Sequence, residues 1–72
     1  MFIVGSLVKF AWWSSYKAPS VSIEDGKTTW HEVHPGDTGV VLSVLSDGNY
    51  IVLFSHVDAL LKIHQTMLEI VV

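Results

Sequence analysis

Between two apolar, β-branched runs, Thr38-Gly39-Val40-Val41-Leu42-Ser43-Val44-Leu45 and Tyr50-Ile51-Val52-Leu53-Phe54, the chain places Ser46-Asp47-Gly48-Asn49. Asp-Gly between two such runs is among the strongest short-range signals for a β-hairpin. Side chains alternate along a strand, so Val40, Leu42 and Val44 point to one face and Val41, Ser43 and Leu45 to the other. Just upstream, His34-Pro35-Gly36-Asp37 reads as a turn. Pro35 has no N–H for a ladder, Gly36 can adopt positive φ, and Asp37 can accept hydrogen bonds from its own downstream backbone. Gly39, at the start of the strand, predicts a bulge or the close approach of another backbone, where a sheet bends sharply.

The other segments follow by the same rules. Val8, Phe10 and Trp12 alternate with Leu7, Lys9 and Ala11 as in a half-buried strand, with Gly5-Ser6 as its lead-in turn. The stretch Ser14 to Lys27 holds serines, a proline and a glycine and predicts a long loop, with a short extended piece at Val21-Ser22-Ile23. Thr28 to Val33, TTWHEV, returns as a strand. After a loop at Ser55 to Ala59, Leu60 to His64 makes a short strand, Gln65-Thr66-Met67 a tight turn, and LEIVV closes the chain. An amphipathic helix over 57–67, N-capped by Asp58, is the alternative for that region.

Seventy-two residues make a single domain, 1–72, near the size at which one hydrophobic core is marginal. The absence of cysteine removes disulfides and thiolate metal sites together. The chain is 50% hydrophobic and 15% charged, against roughly 25% charged in an average soluble domain. A domain this small cannot bury so much apolar surface internally, which predicts a homo-oligomer or a protein partner. The formal charge is −3, with four scattered lysines, Lys9, Lys17, Lys27 and Lys62, and no arginine. Nucleic-acid binding usually rests on clustered cations, so it is disfavoured. The apolar opening MFIVGSLVKFAWW lacks a cationic leader region, and no stretch approaches the roughly 20 apolar residues of a membrane helix. A cytoplasmic protein with no membrane contact is the expectation.

GSLVKF, the long loop and then PGDTGVVLSV resemble the opening of SH3-like barrels of the KOW type, in which a GxxGxV element starts the second long strand. Gly36, Gly39 and Val40 or Val41 match that element. The resemblance implies an all-β, five-stranded SH3-like barrel with a long first loop and one short 3-10 turn near the C-terminus. The outline is also similar to short single-domain proteins of bacteriophages, which would place the chain in a host cytoplasm. A further resemblance is to the plasmid-borne type II dihydrofolate reductases, tetramers around a central pore whose motif is Val-Gln-Ile-Tyr. Here Leu61-Lys62-Ile63-His64 stands in that place and only Ile63 agrees. This likeness implies a pore or interface at Lys62, Ile63 and His64, with a nicotinamide cofactor nearby.

Chemistry is thinly signalled. His31-Glu32-Val33-His34 nearly spells a zinc-protease motif, but the histidines are three apart rather than four, and on a strand they face opposite ways. Ser55, His56 and Asp58 share one loop, and neighbours in a turn rarely reach triad geometry. Glu24, Asp25 and Glu32 read as solvated carboxylates. No GxSxG elbow or phosphate-binding glycine loop occurs. No catalytic residue, metal site or cofactor is therefore assigned from the residues themselves. The aromatics are the stronger lead. Trp13, Tyr16 and Trp30 flank the long first loop, which borders the ligand groove in SH3-like barrels, and Trp and Tyr are favoured interface anchors. Trp12 follows Val8 and Phe10 inward and leaves Trp13 for a partner. The expected function is a small non-catalytic interaction or assembly module that self-associates. A dihydrofolate-reductase-like pore enzyme and a KOW-like nucleic-acid module are the alternatives.

Overall fold

A computed structural model describes residues 3–21 and 28–71. The described chain is all-β apart from one 3-10 turn. Its strands are β1 (Leu7–Phe10), β2 (Tyr16–Pro19), β3 (Trp30–Val33), β4 (Thr38–Val44), β5 (Asn49–Phe54), β6 (Leu60–His64) and β7 (Leu68–Ile70), with the 3-10 turn at Gln65–Met67 between the last two. Region 57–67 is strand and turn rather than helix. No helix among the described residues is long and apolar enough to cross a membrane.

Two features correct the expectation. Among the described residues there are seven strands rather than five, and they do not close into a barrel. One sheet has the order β6-β5-β4-β1-β7, and β2 and β3 form a separate pair. Among the described residues one isolated bridge, Ser20 to Leu61, joins the two sheets, and next to it the Val21 N–H donates to the Leu60 carbonyl at 2.8 Å. The unexpected strand is β2, which lies inside the segment read as loop. Its serines and Pro19 mask an alternation in which Ala18 is buried and Lys17 exposed. Pro19 ends the strand, a position where its missing N–H is tolerated. The extended piece expected at Val21-Ser22-Ile23 falls largely outside the described residues, as do Glu24 and Asp25.

The core lies between the large sheet and the β2–β3 pair. Val8 and Phe10 of β1, Val52 and Phe54 of β5, and Leu61 and Ile63 of β6 are all essentially inaccessible. Ala18 and Val33 close the other side, one from each strand of the small sheet. Phe10 stacks on Tyr16 with ring centroids 6.3 Å apart, which ties the two layers together.

The turn before β4 forms as its residues predict. The Asp37 N–H donates to the His34 carbonyl at 3.0 Å, with Pro35 and Gly36 between them and Gly36 at φ +95°. Proline followed by a residue at positive φ is the arrangement of a type II turn. The Asp37 side chain works upstream rather than downstream: its Oδ2 accepts from the His34 N–H at 2.8 Å. Gly39 marks a close approach, since a Cβ there would lie 2.7 Å from the Leu53 carbonyl oxygen and 3.0 Å from Phe54 Cα. The irregularity in β4 comes three residues later. Val41 pairs with Val52 and Ser43 with Ile51, so Leu42 is the extra residue of a bulge. Past it, Val44 comes opposite the inward-facing Tyr50, on the face of Val41 rather than that of Val40.

Candidate functional site

The outward face of the large sheet has a definite pattern, and strand register creates it. Leu7 pairs with Val40, Val40 with Leu53, and Leu53 with Leu60. Paired residues of an antiparallel ladder share a face. These four side chains therefore form one row across β1, β4, β5 and β6, and each is more than a third exposed. The row contains no charge. On one side the next outward positions are Lys9 and Thr38, and on the other Lys62 and Ile51.

Beside the row, the β5–β6 loop rises to make the wall of an open groove of about 490 Å³. Leu7, Val40 and Leu53 line its floor together with the backbone of Gly39, whose own Cβ position faces inward, toward the buried Val52. Ser55, His56, Val57 and Asp58 line the loop side. His56 Nε2 lies 3.1 Å from Asp37 Oδ2. A carboxylate only accepts, so the imidazole proton belongs on Nε2, which leaves Nδ1 as the unprotonated nitrogen of the neutral ring. The carboxylate that orients His56 is thus Asp37, not Asp58. Among the described residues no serine or threonine hydroxyl is hydrogen-bonded to His56, so the loop is not assembled as a nucleophilic triad.

The other histidines are engaged separately. His31 Nε2 lies 3.2 Å from Thr29 Oγ1. His34 meets the Ser15 hydroxyl at 3.2 Å and Glu32 at 3.5 Å. His64 caps the 3-10 turn, its Nδ1 accepting from the Thr66 N–H at 3.3 Å. Among the described residues no three His, Asp or Glu side chains come within range of one metal ion.

The three aromatic candidates do not converge. Just past the end of β1, Trp12 packs against the core and Trp13 is 82% exposed, with ring centroids 6.4 Å apart. Tyr16 pairs with Val33 on the inner face of the small sheet. Trp30 pairs with Pro19 at the other end of that sheet, 62% exposed on the outer face. Three residues of strand, about 10 Å, separate the two ends. The second candidate group is divided in the same way. Ile63 is fully buried, whereas Lys62 and His64 lie on the opposite face of β6.

Lys62 takes part in a local charge pattern at the hairpin. Asp47 Oδ1 accepts from the Asn49 N–H at 3.1 Å, and its Oδ2 lies 3.7 Å from Lys62 Nζ. Hydrogen bonds from Asn49, with a smaller contribution from Lys62, hold the Asp47 carboxyl below its usual value of 3.8. A carboxyl depressed in the folded state stabilises it above the unfolded value and stops doing so as pH falls through the folded one. Asp47→Asn should therefore lose stability at neutral pH, with the difference from wild type vanishing below the lowered value. Thermal melts over a series of falling pH test this, and a difference that does not shrink as the pH falls through the acidic range would contradict it.

The legible part of this site was the apolar alternation of β4 and β5. Missing from sequence reasoning were the row itself and the His56–Asp37 contact, because both join positions far apart in the chain. Compared with protein-family models, curated proteins and solved structures, the chain matches none of them.

Proposed function

We propose that this protein is a small non-catalytic assembly module that works as a self-associated oligomer. One observation carries the reading. Among the described residues, twelve large hydrophobic side chains are exposed, as many as the twelve hydrophobic residues that are buried. Scattered exposed apolar residues are ordinary, but contiguous patches on a soluble domain mark places where another molecule sits. Here several are contiguous across one sheet and uninterrupted by charge.

The absence of arginine and the net charge of −3 speak against a polyanionic partner. Burial of Ile63, together with the Asp47 contact of Lys62, gives no support to a pore-lining role for Lys62, Ile63 and His64. The assembly reading is tested by sedimentation equilibrium over a wide concentration range. The expected result is a mean mass that rises above that of one chain with concentration. A single-chain mass at every concentration would overturn it.

A further inference from the structure

We infer that the outer face of the five-stranded sheet recognises itself: the row Leu7, Val40, Leu53 and Leu60 of one copy packs against the same row of a second copy, sheet on sheet. This rests on the assembly reading above and names its surface and its partner.

Charge is the first argument. The row is uncharged, and the two lysines beside it already face opposite charges within the protomer, while Asp58 stands off the row on the loop side of the groove. Lys9 stands across the β1–β7 ladder from Glu69, and Lys62 lies 3.7 Å from Asp47. Two such faces can approach without bringing unpaired like charges together, which a face with a one-signed rim could not do. Equal and opposite flanking charges are also what a self-facing contact requires, since each flank meets a copy of this same surface.

Shape is the second argument. Stacked sheets lie about 10 Å apart with interdigitating side chains. The 490 Å³ groove beside the row supplies the receiving half of such a contact. Leu60, which lies in the row but outside the groove and is 37% exposed, supplies the projecting half.

Other occupants fit less well. A polyanion would need cations in the row, and a proline-rich peptide would need aromatic walls. Trp13, Tyr16 and Trp30 all lie outside the five-stranded sheet. Size sets the strength of the contact. Five strands spaced about 4.8 Å apart and about five residues long give a flat footprint near 24 by 17 Å. Side-chain relief brings this towards the roughly 600 Å² per partner at the low end of specific interfaces. The dimer should accordingly dissociate within an accessible concentration range.

The test uses the whole chain with Leu53→Glu, Leu53→Lys, Trp13→Ala and Trp30→Ala, read by sedimentation equilibrium and far-ultraviolet circular dichroism. Leu53 faces outward, so both of its variants should keep the wild-type spectrum. Each alone should weaken dimerisation at least about a hundredfold, because an unpaired charge would be buried in the contact. Mixed in equal amounts, they should recover a heterodimer, while Trp13→Ala and Trp30→Ala remain dimeric. Association of wild type that survives Leu53→Glu, or that is lost in Trp13→Ala or Trp30→Ala, would overturn this surface and leave the assembly reading standing. Dissociation of both Leu53 variants without recovery on mixing would overturn the self-facing geometry. A wild type that is a single chain throughout would overturn the assembly reading itself.

Discussion

Phe10→Ala is expected to remove a large part of the folding stability of this chain. Phe10 is fully buried between the two layers, and its ring stacks on Tyr16. Truncating a buried phenylalanine costs about 3–5 kcal/mol, part of it for lost transfer from water and part for the cavity left behind. A 72-residue domain has a total stability on the order of 4–11 kcal/mol at the usual 0.05–0.15 per residue. The loss is thus comparable with the whole at the lower bound and between about a quarter and a half of it at the upper. No disulfide compensates, since the chain has no cysteine. Urea unfolding at one fixed low protein concentration measures it, and the concentration must be held because association adds to apparent stability. The variant should show a much reduced transition midpoint or no folded baseline. A midpoint within about 0.5 M of wild type, with a slope of about 1 kcal/mol/M, would mean that Phe10 does not join the layers.

Gly39→Ala should be the second largest effect, and it arises from the opposite fault, overpacking. The added methyl would sit 2.7 Å from the Leu53 carbonyl oxygen, 2.9 Å from Val52 Cγ1 and 3.0 Å from Phe54 Cα. Two of these are backbone atoms in the adjacent strand, so no rotamer change relieves the contact. The β4–β5 ladder must open locally instead. Forced expansion of a packed interior costs about 1–3 kcal/mol. For a domain of this size each kcal/mol lowers Tm by roughly 4–8 °C, so a fall on the order of 10–15 °C is expected. Gly39 is not at positive φ, so the cost is steric rather than conformational. A serine there should therefore be at least as costly as alanine. A melt of Gly39→Ala within about 3 °C of wild type would show that the strands do not approach as described.

Neither substitution alters the outer face: Gly39 alternates with the outward Val40 and a Cβ there meets the buried Val52, and Phe10 faces inward. Gly39→Ala should therefore keep the self-association of wild type at temperatures where it remains folded.

By itself the sequence determined the local elements. Glycine at a position needing positive φ, proline before it and Asp-Gly between two apolar runs place the turns at residues 34–37 and 46–48 whatever the rest of the chain does, because steric limits on φ and ψ act within a few residues. The alternation of Val8 and Phe10, and of Leu61 and Ile63, likewise marks inward faces from neighbours alone. The apolar composition also announced that more surface would be apolar than one small core could take. Only the tertiary structure decided what that surplus would form. Leu7, Val40, Leu53 and Leu60 are scattered over 54 positions of sequence, and their row exists because three ladders happen to share one register. The bulge at Leu42 turned Val44 away from Val40, and β2 formed in a serine-rich stretch because Ala18 found a buried place against the larger sheet. His56 met Asp37 rather than Asp58 for the same reason. Strand pairing is a long-range choice, made by packing, and no local pattern encodes which distant positions will stand side by side.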